Sequence, residues 1–200
     1  MSARIEPLTS EKLDDEAQAA LRVGFPRAAD QFLSGAPDGP PLPTVLGLLL
    51  NHPKLAGPWF AYNNVLLYDP AIDPRQRELM ILRVAWRARG DYEWLQHVRL
   101  AQQLGVTDAE IEALTVGADA GSWSPVEADL LRAVDELFDD SRIGDATWAR
   151  LSNHFDTRQL MELTFVVGSY LCLAFVFNSA NLPLDPGLDP GNIPVPNREG

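Results

Sequence analysis

From Asp73 to Gly105 the apolar residues recur at the spacing of one helical face, and charged residues stand inside that face. This stretch constrains the fold most. Asp73 is a capping residue with Pro74 in the first helical turn, so a helix is expected from there to about Arg89. Gly90-Asp91 breaks it, a second helix runs from about Tyr92 to Leu104, and Gly105 ends that one. On a helix turning about 100° per residue, Glu78 falls in the middle of the arc made by Leu79, Ile81, Leu82, Ala85 and Trp86. In the second helix Glu93 and His97 fall within the arc of Trp94, Leu95, Val98 and Ala101. They are spaced i and i+4, where side chains on one face meet. The polar sides read as Gln76, Arg83 and Arg87 on the first helix and Tyr92, Gln96, Arg99 and Gln103 on the second.

The remaining chain reads as helix and connection. A short helix is expected within Pro7–Ala20 and a Gly- and Pro-rich loop at Ser34–Pro43. Pro43–Leu50 is a short apolar segment, Pro53–Leu67 is helical, and Asp69–Pro74 is a break. Thr107 with Glu110, and Ser124 with Glu127, are capping-box signatures that each open a helix, the second ending near Asp139. Asp145–Phe155 and Thr157–Asn178 complete the set. The tail from Leu182 is proline-rich and irregular. No segment alternates with the period of two that an exposed strand requires, so the fold class is all-α.

A chain of 200 residues is long enough to bury one core, and a single domain over 1–200 is expected. Its 28 acidic against 16 basic residues give a formal net charge of −12. Such a surface repels nucleic acid and anionic membranes, so neither partner is expected. Leu163–Phe177 carries no charge but is shorter than the roughly 20 apolar residues of a membrane span, and it reads as a core or interface helix. Its apolar surface exceeds what one small helical layer hides, which points to self-association. Met1–Glu16 has no basic segment followed by an apolar core, so no secretory leader is expected. The single cysteine, Cys172, excludes an intrachain disulfide and a Cys-x-x-Cys pair, and a cytoplasmic location is expected.

Buried carboxylates are costly unless they pair, bind a ligand or change protonation. Two carboxylates sharing a site with an imidazole should separate in pKa, so that one holds a proton while another accepts one. Glu78, Glu93 and His97 are therefore the candidate catalytic residues, with Trp86, Tyr92 and Trp94 as candidate pocket-lining residues. The plainer alternatives are a buried Glu–His pair that only ties two helices together, and aromatics that only fill the core. His97 with two carboxylates also has the composition of a facial metal triad. Its Glu-to-His spacing is i, i+4, however, where helical di-iron sites use i, i+3, and no second histidine is near, so no metal is expected.

The stretches Arg77-Glu-Leu-Met-Ile-Leu-Arg83, Tyr92-Glu-Trp-Leu-Gln-His97 and Ala101–Glu110 resemble the carboxymuconolactone decarboxylase family, which includes the alkylhydroperoxidase D-like proteins. The Asn51-His-Pro53 turn and the segment Asn178–Pro186 extend the resemblance over roughly residues 40–186. It implies an alkylhydroperoxidase D-like helical bundle, assembled as a dimer, trimer or hexamer. The family's redox branch carries Cys-x-x-Cys-x-x-x-His with an upstream glutamate. His97 and Glu78 match the histidine and the glutamate, but Gly90 and Glu93 stand at the two cysteine positions, so a thiol mechanism lacks both its sulfurs. The decarboxylase branch, with a glutamate four residues before the histidine, is the closer likeness. It implies a cofactor-free lyase acting on a carboxylated lactone or similar small organic acid. In that reading His97 transfers the proton, Glu93 orients it or shares its proton, and Glu78 completes the relay. Arg75, Arg77 and Arg89 are candidates for binding a substrate carboxylate. A related isomerase or dehydratase, a residual peroxidase-like oxidoreductase dependent on Cys172, and a non-catalytic oligomeric binding protein are the competing readings.

Overall fold

The computed structural model of the chain describes residues 2–34, 39–188, 191 and 193–196. Residues 35–38 of the Ser34–Pro43 loop, and residues 189–190, 192 and 197–200 of the proline-rich tail, lie outside the described residues. Ten α-helices form among the described residues, with no strand, as the sequence periodicity requires. They are α1 (Asp15–Gly24), α2 (Ala29–Leu33), α3 (Thr44–Leu49), α4 (Pro53–Tyr68), α5 (Pro74–Arg87), α6 (Asp91–Gln103), α7 (Asp108–Val116), α8 (Pro125–Asp140), α9 (Asp145–Leu151) and α10 (Thr157–Ala180). The chain divides into two compact units, Met1–Asp69 with Phe177–Gly187, and Pro70–Val176 with Leu188–Gly200.

In the first unit α1 lies along α4. Asp14 caps α1 by accepting from the Ala17 N–H at 2.8 Å. This places the helix later than the Pro7–Ala20 reading, where Ser10–Lys12 makes only a short 3₁₀ turn. The core here is wholly apolar: Leu13, Ala17, Ala20 and Leu21 meet Leu46, Leu50, Ala56 and Phe60. His52 is the residue before α4, with Pro53 in its first turn, where a missing N–H costs nothing.

The second unit is built around α5, which packs against α6, α7 and α8. Asp73 caps α5 by accepting from the Arg75 and Gln76 N–H groups at 3.0 and 3.2 Å. Both expected capping boxes are formed, Thr107 with Glu110 on α7 and Ser124 with Glu127 on α8. Arg75 pairs with both box glutamates, Glu110 and Glu127, and so ties the starts of α5, α7 and α8 together. These carboxylates hold the Arg75 guanidinium above its ordinary value although burial opposes that charge. A third box opens α10: Asp156 accepts from the Gln159 N–H, and Gln159 accepts from the Asp156 N–H. Glu162 of α10 then accepts from the Ala71 and Ile72 N–H groups at 2.8 and 3.0 Å, which fixes the turn preceding α5.

Arg83 departs from the amphipathic reading. It was expected on a polar face, but it is buried, because α5 is enclosed on every side from Arg77 to Ala85. Its guanidinium donates to both oxygens of Asp135 at 2.8 and 3.1 Å and to the Leu114 carbonyl at 2.7 Å. Gly117, with φ 102°, makes room for it: a Cβ there would stand 2.6 Å from Arg83 Nη2. Tyr92 is likewise buried rather than polar-facing. The long helix α10 meets the length and composition of a membrane span, and half of its most apolar window is buried inside the protein.

Candidate acid–base site

Three helices of the second unit converge on one imidazole. Glu78 sits in the first half of α5 and is fully buried, and His97 sits on α6 with its side chain 12% exposed. Nδ1 of His97 lies 2.6 Å from Oε2 of Glu78. Tyr170 of α10 meets the imidazole edge to face, with ring centroids 5.0 Å apart and planes at 87°. The other oxygen of Glu78, Oε1, accepts from Arg77 Nε at 3.2 Å and Nη2 at 2.9 Å. The carboxylate is thus divided, one oxygen for the guanidinium and one for the imidazole.

The electrostatics follow from that division. Burial opposes ionisation of Glu78, but the charge and hydrogen bond of His97 and then those of Arg77 outweigh it, and hold its carboxyl below the ordinary value. An ionised Glu78 accepts from the Nδ1–H of His97. This selects the tautomer and leaves Nε2 as the nitrogen available to a ligand.

Glu93 is treated oppositely. It lies in the first turn of α6, 2% exposed, and neither carboxylate oxygen has a hydrogen-bond partner among the described residues. Burial alone pushes its carboxyl well above the ordinary value, because no neighbouring cation compensates. The expected Glu93–His97 contact along α6 is not made. The imidazole instead turns across to Glu78, where an ionised acceptor is held in place. Gly90 begins the same turn, and a Cβ there would stand 3.5 Å from Glu93 Oε2. The two positions that match the redox branch's cysteines are therefore neighbours in space.

Of the candidate carboxylate-binding arginines, Arg77 is committed to Glu78 and Arg75 to Glu110 and Glu127. Arg89 is exposed, on left-handed backbone with φ 54°. Trp94 is buried, stacks at a tilt on Trp86 with centroids 5.2 Å apart, and donates its indole N–H to the Pro194 carbonyl at 2.6 Å. Trp86 and Pro194, with Gln102, Ile111 and Thr115, line an open cleft of about 600 Å³, and Glu78, Glu93 and His97 are absent from its walls. Trp86 thus lines this cleft, Trp94 is buried and absent from its walls, and Tyr170, which the sequence reading missed, touches the imidazole. Its only sequence signal was its place in the apolar run Leu163–Phe177. Among the described residues no group of three or more His, Cys, Asp or Glu side chains is placed to hold a metal ion.

Residues 53–136 match the family model described as the carboxymuconolactone decarboxylase family. That span holds α4 to most of α8, including Glu78, Glu93 and His97. No curated protein matches the chain. Among solved structures, an uncharacterized peroxidase-related protein with an alkylhydroperoxidase AhpD core, from Ralstonia eutropha JMP134, superposes with a TM-score of 0.73 at 15% identity, covering 93% of this chain and 94% of that one. An uncharacterized peroxidase-related protein from Silicibacter sp. TM1040 gives 0.69 at 16% identity over 88% and 87% of the two chains. A protein of unknown function from Agrobacterium tumefaciens gives 0.62 at 17% identity, over 68% of this chain and 93% of the other. At these identities the superpositions establish the fold. Residues 53–136 are thus similar to the carboxymuconolactone decarboxylase family, within an all-helical fold like that of the alkylhydroperoxidase AhpD core.

Proposed function

We propose that this chain is a cofactor-free acid–base enzyme acting on a small organic acid or lactone, as a decarboxylase-like lyase or a related isomerase or dehydratase. One observation carries the reading: two carboxylates buried in neighbouring helices are driven to opposite protonation states, Glu78 by Arg77 and His97, Glu93 by burial without a partner. Carboxyl groups separated in this way can act as base and acid at one pH. His97 is the proton-transfer group. Its Nδ1–H is held by Glu78, so Nε2 exchanges the proton with substrate. Glu78 positions the imidazole, and His97 together with Arg77 keeps Glu78 ionised. Glu93, protonated, is a neutral donor one helical turn from His97.

For a carboxylated lactone, cleavage of the carbon–carboxylate bond releases carbon dioxide and leaves its electron pair in an extended enolate. A donor near the enolate oxygen stabilises that charge, and a proton delivered to carbon completes the step. The peroxidase-like alternative needs a thiol at the site. Cys172 is exposed on α10, two residues from Tyr170, so the two side chains leave the helix on opposite sides.

The test is turnover of 4-carboxymuconolactone by the wild type and by the His97→Gln and Glu93→Gln variants. The expected result is carbon dioxide release by the wild type and a loss of about 10²–10⁴-fold in each variant with the fold retained. Full activity in both variants would remove the acid–base reading. The rate should fall at low pH, as Glu78 takes up a proton, and at high pH, as Glu93 loses one.

A further inference from the structure

A single hydrogen bond fixes one atom of an imidazole but not the plane of its ring. Nδ1 of His97 is held by Glu78 at 2.6 Å, and about that contact alone the ring is free to swing. The second constraint comes from α10. Tyr170 is 2% exposed, and its ring stands at 87° to the imidazole with centroids 5.0 Å apart, inside the roughly 4.5–7 Å range that edge-to-face rings prefer. The two contacts come from different helices, one to a ring nitrogen and one to the ring as a whole.

The helix that carries Tyr170 is itself registered against the helix that carries Glu78. Glu162 accepts from the Ala71 and Ile72 N–H groups, and Gln159 donates to the Ala71 carbonyl at 3.0 Å. These residues form the turn that leads into α5 at Pro74. The position of Tyr170 along α10 is therefore set relative to the start of α5, and Glu78 lies in the first half of that helix.

We infer that Tyr170 is a positioning residue for His97: its ring fixes the plane of the imidazole while Glu78 holds Nδ1, so that Nε2 points in one direction. The catalytic consequence rests on the acid–base reading; the geometric one does not. Glu78 and Tyr170 each occupy a side of the imidazole, so a substrate reaches it from the remaining side, through which the His97 side chain keeps its 12% exposure. The contact is made by the ring of Tyr170, so phenylalanine preserves it and an aliphatic side chain does not. A ring that merely filled the core would be replaceable by other apolar side chains without any effect on the imidazole.

Proton nuclear magnetic resonance of the full chain tests this, with His97→Gln identifying the hydrogen-bonded Nδ1–H of His97. The expected result is a slowly exchanging Nδ1–H resonance in the wild type and in Tyr170→Phe. In Tyr170→Leu it should be broadened or lost, with an unchanged far-UV circular dichroism spectrum. Tyr170→Met, whose unbranched side chain adapts to the space left, serves if the leucine variant does not fold. An undiminished resonance in either folded aliphatic variant, or its loss in folded Tyr170→Phe, would overturn the role of the ring. Absence of the resonance from the wild type would overturn that role together with the Glu78 contact beneath it. In turnover, Tyr170→Leu should lower kcat about tenfold to a hundredfold at unchanged KM, and Tyr170→Phe should restore it. Wild-type kcat in Tyr170→Leu would overturn the positioning role while leaving those of His97 and Glu93 in place. A wild type without turnover counts against the acid–base reading alone, because the resonance reads the imidazole whatever the substrate.

Discussion

The two units bury different things. The first closes on aliphatic and aromatic side chains alone, from Leu13 and Leu21 to Leu50 and Phe60. The second, of comparable helical construction, encloses Arg77, Glu78, Arg83, Glu93 and Asp129. Most of those charges are matched. Arg83 is held by Asp135, Asp129 accepts from Arg132 and Arg150 at 3.1 and 2.8 Å, and Glu78 is shared by Arg77 and His97. Glu93 is the exception. The contrast teaches that burial of charge in the second unit is regularly compensated, so the uncompensated carboxyl of Glu93 beside the matched set is the feature on which the proposed acid–base function rests.

Breaking a matched charge should have the largest effect. Glu78→Ala removes the buried carboxylate shared by Arg77 and His97 and should destabilise the protein by about 3–5 kcal/mol in urea unfolding. The sign of its pH dependence follows from the lowered Glu78 carboxyl. The stabilisation is present above the unfolded value of about 4.3 and is lost as pH falls through the folded one. Wild-type and variant stabilities should therefore converge in acid. In the first unit no such dependence is expected. Leu21→Ala removes a fully buried side chain from the α1–α4 packing and should cost about 2–5 kcal/mol, independent of pH.

Glu93→Gln should move the other way. A carboxyl raised by burial disfavours the folded state once the pH exceeds the unfolded value of about 4.3. The variant should gain stability at neutral pH relative to wild type, with the gain vanishing near pH 4, while activity falls. A loss of stability at pH 7 would mean that Glu93 has a charged partner and belongs with the matched set. The smallest change is at a helix start: Ser124→Ala removes one capping acceptor of α8 and should cost about 1 kcal/mol.

Helix positions were legible where chemistry punctuates the chain. Asp73-Pro74, Thr107 with Glu110 and Ser124 with Glu127 open α5, α7 and α8 as their side chains dictate. The inward placement of Glu78 and Glu93 was legible too, because helical periodicity measures direction around one axis. It does not measure how many sides of a helix are covered, so Arg83 and Tyr92 were assigned to polar faces that packing from several directions encloses. Nor does it show contacts between helices. The spacing of Glu93 and His97 suggested a pair within α6, whereas the imidazole pairs with Glu78 on α5 and meets Tyr170 on α10.

The measurement closest to the central claim is infrared difference spectroscopy of wild type against Glu93→Gln at neutral pH. If two buried carboxyls are held in opposite states, the wild type shows a protonated carboxyl C=O band that disappears in the variant, while Glu78→Gln removes carboxylate bands only. Loss of carboxylate bands in Glu93→Gln, with no protonated carboxyl in the wild type, would contradict the account.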